Sequence, residues 1–382
     1  MRVGILGGGQ LALMTAESAP IAGMEIVVVE REAGSPAGLV VGSANEIVGD
    51  WRDETIRAHL IERVDLVTLE NEFVDADALR WFGQRGVPVV PNPDAVALIQ
   101  DKLRQKESLS AAGIPVALFR SISSDEDIRS AGRDLGWPLI LKARRNGYDG
   151  YGNATLRGPD DIAAAMARLS DGTGAGAAGG LYVEQWIPFV AEVAAMVAIG
   201  THGEIAPFPV TRTTQRDHIC HEAVVPAGLD SATTGRAESI AVAAARASGA
   251  QGVIGVEMFQ MAGGAIVVNE LAPRPHNSGH YSIEGCRASQ FLNHLLAIAG
   301  RPLGSTALTR PGVAMVNLLG TTRGRAAPRG VKAAVALPET FVHIYGKREV
   351  RLGRKMGHVT ALGDSAEEAL DRARRAAGMI EW

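Results

Sequence analysis

Short apolar runs and amphipathic stretches alternate along the first ninety residues, predicting strands and helices in turn. Arg2–Leu6 reads as a buried strand, Gly7-Gly8-Gly9-Gln10 as a turn into a helix reaching about Ser18, and Glu25–Glu30 as a second strand. Asp53–Glu62 and Asp75–Gln84 have helical spacing, and Val64–Leu69 and Val87–Val90 read as strands. This order predicts an α/β unit with an open parallel sheet over 1–94. Pro93 suits the first turn of a helix to about Ala112, ended by Gly113 and Pro115. Strand Val116–Arg120, helix Asp125–Leu135, strand Leu139–Lys142, a glycine-rich loop Gly147–Gly152 and helix Asp160–Leu169 make a smaller α/β unit over 95–180. Its end, Asp171–Gly180, has the composition of a flexible linker. From Leu181 the pattern turns strand-rich. Leu181–Ile187, Val193–Gly200, Ile205–Val210 and Gly252–Ala272 predict a larger sheet over 181–300, broken by helix Ser239–Ser248 and followed by helix Ser289–Ala299. The remainder, 301–382, holds strands Val313–Leu319 and Val342–Tyr345 and a closing amphipathic helix, Ala366–Ala377.

Composition narrows the partners. The 382 residues are 46% hydrophobic and 21% charged, which excludes disorder and fibrous repeats. The net charge of −4 argues against nucleic acid and against a basic membrane-binding surface, leaving small molecules as the expected ligands. Cys220 and Cys286 are too few for a disulfide framework and read as core residues, and a reducing cytoplasm fits best. No apolar run approaches the roughly 18 residues of a membrane span.

Several stretches carry chemistry. Gly7-x-Gly9-x-x-Ala12 after a strand matches a dinucleotide fingerprint, with Glu30 placed as a ribose-binding acid. It equally fits a tight turn that offers a helix N-terminus to any anion. A more informative pattern lies between Gly255 and Glu270. If Gly263-Gly264 form a two-residue hairpin turn, Glu257 faces Glu270 directly, with Cβ atoms about 4.5–5.5 Å apart. Two carboxylates that close among Val, Ile and Met call for a cation, and a few hard oxygen ligands suit Mg²⁺. Lys142 on an apolar strand and Lys102 on the preceding long helix could reach phosphates, or snorkel to the surface. The glycines of 147–152 could close over a nucleotide. Ala272–His280 concentrates donors suited to a phosphorylated or carboxylated substrate, and Lys347–Lys355 forms a second basic cluster. There is neither zinc-ligand spacing nor a serine nucleophile elbow.

Together these motifs resemble the ATP-grasp enzymes, and among them the 5-(carboxyamino)imidazole ribonucleotide synthases. The carriers are Gly7–Leu11, Glu70-Asn-Glu72, Gly147-Tyr-Asp-Gly150, Glu184-Gln185, Asn269–Arg274, His276–His280, Ser289–Phe291 and Gly353–His358, spread over nearly the whole chain. The resemblance implies a Rossmann-like preATP-grasp domain, a small ATP lid, a larger ATP-grasp sheet with a C-terminal extension, and a homodimer. It implies ATP binding by Lys102, Lys142, Gly147, Glu184 beside the adenine, Gln185, Glu192 on the ribose, and Asn269. Glu257 and Glu270 would hold Mg²⁺. Tyr148, Asp149, Arg274 and His276 would be catalytic, and Gly9, Gln10, Leu11, Glu70, Asn277, Ser278, Lys347 and Arg354 would bind aminoimidazole ribonucleotide. The implied reaction spends ATP to activate bicarbonate as carboxyphosphate, whose CO2 is taken up by the substrate amine. Another ATP-grasp carboxylate–amine ligase is the alternative, and a nicotinamide dehydrogenase would leave Glu257 and Glu270 unexplained. Three positions depart from the family. Tyr151 stands where a cation is usual, Asn146 where glycine is frequent, and Arg212 where an acid is common, so either Arg144 or Arg145 compensates for Tyr151 or the anion bound there differs.

Overall fold

The computed structural model describes residues 1–147, 152–170 and 179–382. Three large sheets organise them, beside a two-stranded ribbon of Gly324–Arg325 and Glu349–Val350. The first is parallel, in the order Glu46–Val48, Glu25–Glu30, Arg2–Leu6, Leu66–Leu69. Ile26–Val29 are buried without alternation, as expected of a parallel strand covered on both faces. Helices Gln10–Ser18, Glu54–Ile61 and Ala76–Gly83 follow close to their expected places. Val87–Val90 is not a strand; it contributes a single bridge, Val89 to Val67, before the chain turns away.

The helix expected over 93–112 is two helices, Pro93–Gln100 and Lys102–Ala111. Asp101 interrupts it with an extended backbone (φ −94°, ψ 98°) and caps the second helix through Arg104 N. The break is held from outside. Arg144 forks onto the Asp101 carboxylate at 2.6 and 3.0 Å, and Lys102 N donates to Arg144 O at 2.8 Å. Arg144 is thereby committed to Asp101.

The second sheet is antiparallel, in the order Phe119–Ile122, Leu181–Gln185, Leu139–Ala143, Asn153–Leu156. Strand Leu181–Gln185 therefore belongs to the small unit, not to the larger sheet as its position in the chain suggested. Its register sets Glu184 opposite both Phe119 and Ile140, which a local pattern cannot show.

The third sheet runs Ile266–Ala272, Gly252–Met261, Phe189–Ile199, Thr211–Arg216, Ile219–Val225, Gly312–Leu319, Lys355–Gly363, Thr340–Ile344, with Ile205–Pro207 on Phe189–Ile199. It continues from 181–300 into 301–382 without a break. Strands 211–216 and 355–363, rich in Thr, Arg, His and Gly, and strand 219–225, with His and Glu inside it, lack a clear strand pattern in the sequence. Helix Ser231–Ala247, longer than the expected 239–248, covers one face with fully buried Ala237, Ala241, Ala244 and Ala245. Helix Gln290–Ile298 packs Phe291 and Leu295 on the first unit's core. Cys220 and Cys286 are free and buried.

Candidate active site

A cleft of about 1700 Å³ opens between the three sheets, and its lining includes Lys102, Lys142, Gly147, Glu184, Gln185, Glu192, Glu257, Asn269, Glu270, Arg274, His276 and Asn277. Residues distant in sequence reach it from strand ends and helix starts, where backbone position is best fixed.

The acidic pair forms, by a different route from the expected one. The hairpin turn has three residues, Ala262–Gly264: Met261 N donates to Ala265 O at 2.8 Å and Gly264 N to Met261 O at 3.0 Å. Both glycines have positive φ, 82° and 81°. A three-residue turn alone would put the strands one position out of the predicted register. A β-bulge between Glu257 and Met258 restores it, pairing Met258 with Val268 but Glu257 with Glu270. The extra residue is Asn269, whose Nδ2 approaches Glu257 Oε2 at 3.5 Å and whose Oδ1 accepts from Lys142 Nζ at 3.4 Å. The bulge thus turns both Asn269 and Glu270 toward Glu257.

The electrostatics show a site short of positive charge. Burial, together with the Glu270 carboxylate, pushes the Glu257 carboxyl up to about 8. Burial would also raise Glu270, but Lys102, whose Nζ lies 2.5 Å from its Oε2, holds it below the usual range. Glu257 and Glu270 fit Mg²⁺: two hard oxygen donors, one of which keeps its proton unless a cation is near. No third acidic, histidine or cysteine ligand joins them among the described residues, so phosphate oxygens and water would complete the shell. Burial and the Arg274 charge push the His276 ring down to about 4. Its 3.4 Å approach to Glu257 is therefore a contact of a neutral ring, while its Nδ1 meets Ser278 Oγ at 2.9 Å.

Glu184 is the centre of a second cluster. Lys142 Nζ lies 2.8 Å from one oxygen and Lys106 Nζ 3.1 Å from the other, which also accepts from Tyr182 OH at 2.9 Å. Burial alone would raise Glu184, but the two ammonium groups bring it to about 2. Lys106, 2% exposed, was missed in the sequence reading. Its only signal was its place four residues after Lys102, one helical turn on. Gln215, which hydrogen-bonds Glu192, was missed for the same reason as its strand.

Arg274 forks onto Glu72, with NH2 2.9 Å from Oε1 and Nε on Oε2. Glu72, quoted only within its motif, thus joins the first unit to the cleft. Glu70 turns to the glycine turn, accepting from Leu11 N at 3.3 Å. A Cβ on Gly9 would lie 2.3 Å from Glu70 Oε1. Glu30 does the same from the other side, accepting from Gly8 N at 2.9 Å, so two carboxylates occupy the neighbourhood a pyrophosphate would need. Gln10 and Lys347 meet at 2.6 Å, and Asn277 pairs with Asn317 at 2.7 and 3.0 Å. Arg354 donates to Glu349 O at 2.8 Å; it and Gly9, Gln10, Leu11, Glu70, Ser278 and Lys347 are not among the described lining of the cleft, whereas Arg145 is. Arg212 is exposed and donates to Ala227 O. Tyr148, Asp149 and Tyr151 lie outside the described residues.

Comparison with known proteins agrees with this geometry. Residues 1–100 match the ribonucleotide synthetase preATP-grasp domain, 107–291 the ATP-grasp domain, and 313–372 the phosphoribosylaminoimidazole carboxylase C-terminal domain. The chain is 39% identical to the N5-carboxyaminoimidazole ribonucleotide synthase of Synechococcus elongatus, over 99% of this chain and 93% of that protein. It is 38% identical to the phosphoribosylaminoimidazole carboxylase of Schizosaccharomyces pombe, over 96% of this chain but only 66% of the longer relative. The crystal structure of the Aspergillus clavatus N5-carboxyaminoimidazole synthase with ADP and 5-aminoimidazole ribonucleotide superposes with a TM-score of 0.89 at 33% identity, covering 99% of this chain and 98% of that one.

Proposed function

The chain belongs to the N5-carboxyaminoimidazole ribonucleotide synthase family of ATP-grasp ligases, and on that premise we propose that its cleft carboxylates 5-aminoimidazole ribonucleotide with bicarbonate at the expense of ATP. The observation that carries this reading is the opposed pair Glu257 and Glu270, with Lys102 and Lys142 beside it.

The residues divide the work by charge. In the ligand-free chain Lys102 is paired with Glu270 and Lys142 with Glu184. An incoming triphosphate offers both lysines stronger partners, and Lys106 keeps Glu184 neutralised when Lys142 turns to phosphate. Mg²⁺ held by Glu257 and Glu270 would neutralise charge on the phosphates and favour transfer of the γ-phosphoryl group. A bicarbonate oxygen attacks that phosphorus and ADP leaves. The carboxyphosphate releases phosphate and CO2, and the exocyclic amine of the ribonucleotide attacks CO2 and loses a proton. Arg274, fixed by Glu72, and His276, Asn277 and Ser278 supply donors for the anions on this side. Gly9, Gln10, Leu11, Glu70 and Lys347 would receive the ribonucleotide. With the glycine turn occupied by its own carboxylates, these residues recognise no dinucleotide.

A homodimer and a cytoplasmic setting belong to the same proposal. Among the described residues no helix is long and apolar enough to cross a membrane. The deciding experiment is ADP release by the purified chain, expected only when bicarbonate and aminoimidazole ribonucleotide are both present. ADP release that ignores the ribonucleotide but responds to another amine would replace this substrate.

A further inference from the structure

Two buried histidines, a half-buried third and a buried tyrosine lie beneath the substrate side of the cleft, and the chemistry above uses none of them. His280 and His358 are fully buried, as is Tyr345. Burial pushes both rings well below the usual histidine range, so they are neutral and play no part as charges. Apolar residues of similar size would fill this space without the cost of desolvating polar groups. Here Nδ1 of each ring instead makes a directed contact, while Nε2 of His280 and of His358 has no hydrogen-bond partner among the described residues.

One end of the cluster holds the 276–278 segment. Gln290, also fully buried, accepts from His276 N at 2.9 Å and donates to His276 O at 2.8 Å. That orientation of its amide leaves the same nitrogen donating to His280 Nδ1 at 3.1 Å. The other end holds Lys347. The Tyr345 hydroxyl lies 2.9 Å from His358 Nδ1, and Lys347 Nζ sits 5.5 Å from the centre of the Tyr345 ring, between Gln10 Oε1 and Lys355 O at 2.6 Å each. The two ends meet where the His280 and His358 rings pack, with centroids 5.1 Å apart. His358 is stacked in turn on His343, centroids 4.4 Å apart, and His343 is fixed by Glu284 at 2.8 Å.

We propose that Tyr345 and His358 are positioning residues for ribonucleotide binding: they tie Lys347 to the loop bearing His276, Asn277 and Ser278, so that both sides of the substrate pocket share one frame. This rests on the assignment of those residues to the ribonucleotide side. Neither Tyr345 nor His358 touches the cleft; each acts through a neighbour.

The test is steady-state ADP release with the ribonucleotide and ATP varied separately. Tyr345→Phe removes one hydroxyl and keeps the ring. It should raise KM for aminoimidazole ribonucleotide about 5–10-fold and leave KM for ATP within about two-fold, a change of the size one lost hydrogen bond gives. His358→Leu should do the same. His358→Asn should recover most of the loss, because its amide occupies the place of Nδ1 and can meet the hydroxyl either as donor or as acceptor. In a Lys347→Gln background, Tyr345→Phe should add nothing further. Unchanged ribonucleotide KM in Tyr345→Phe and His358→Leu, KM values for both substrates rising together, or effects that multiply in the double variant would each overturn the inference alone. A wild-type chain that does not respond to the ribonucleotide would overturn the assignment of the pocket as well.

Discussion

Replacing Lys106 by Met tests the electrostatic design of the nucleotide side. Met keeps most of the aliphatic volume and removes only the ammonium group. Glu184, 3% exposed, then keeps Lys142 as its remaining ion-pair partner, with the Tyr182 hydroxyl. Breaking a buried pair costs about 3–5 kcal/mol because it strands a charge, and the surviving contact with Lys142 places this case near 3. For a chain of this size that is a fall in Tm of roughly 4 °C. The functional effect is separate. With Glu184 holding Lys142 as its remaining cation, Lys142 is less free to turn to phosphate, and KM for ATP should rise about ten-fold. The pH dependence gives a second signature. Glu184 has its folded pKa depressed to about 2, so its stabilising contribution is full above the unfolded carboxyl value of 4.5 and is lost as pH falls from there toward 2. Lys106→Met should lack much of that contribution, so the Tm gap between variant and wild type should narrow as pH is lowered from 5 to 3. Scanning calorimetry across that range and ATP titrations at neutral pH measure both effects. A variant with wild-type Tm and wild-type KM for ATP would refute the reasoning.

Glu270→Gln removes one of the two proposed metal ligands and should abolish ATP turnover while Tm stays within a few degrees; unchanged activity with unchanged Mg²⁺ dependence would contradict the assignment. Burial alone would lower His343, but Glu284 at 2.8 Å and the nearby Glu17 raise it above its ordinary 6.5. A raised histidine stabilises fully below 6.5 and loses that contribution as pH climbs through its folded value. Tm should therefore fall as pH rises above 6.5, and His343→Gln should flatten that slope; parallel curves would argue against it. Calorimetry with NAD should show no binding, because Glu30 and Glu70 already accept from the glycine turn; micromolar affinity would show that the turn serves a dinucleotide.

Much of this protein is written locally. The apolar run Ile26–Val29 specifies a doubly covered strand wherever it is placed, and the alanine face of 366–377 specifies a helix, because periodicity depends only on near neighbours. Glu257 and Glu270 were legible as a pair because a short hairpin ties register to sequence distance. Even there the pairing survived for a reason the sequence did not display: a longer turn and a bulge at Asn269 offset each other. What depends on distant chain was not readable. Asp101 breaks its helix because Arg144 reaches it from just past the end of strand 139–143, and strand 355–363 forms because the sheet offers it partners on both sides despite its Gly, His and Thr. Lys106 reads as one more lysine on a polar helix until the small sheet brings Glu184 against it. Where the side-chain period is clear, helix and strand are decided within a few residues by backbone sterics; which charges meet in a buried space is decided by the packing of units far apart in the chain. The sequence alone therefore determined the elements with clear periodicity, the acidic pair and the family; tertiary structure decided the helix break at Asp101, the strands without a local pattern, and which lysine neutralises which carboxylate.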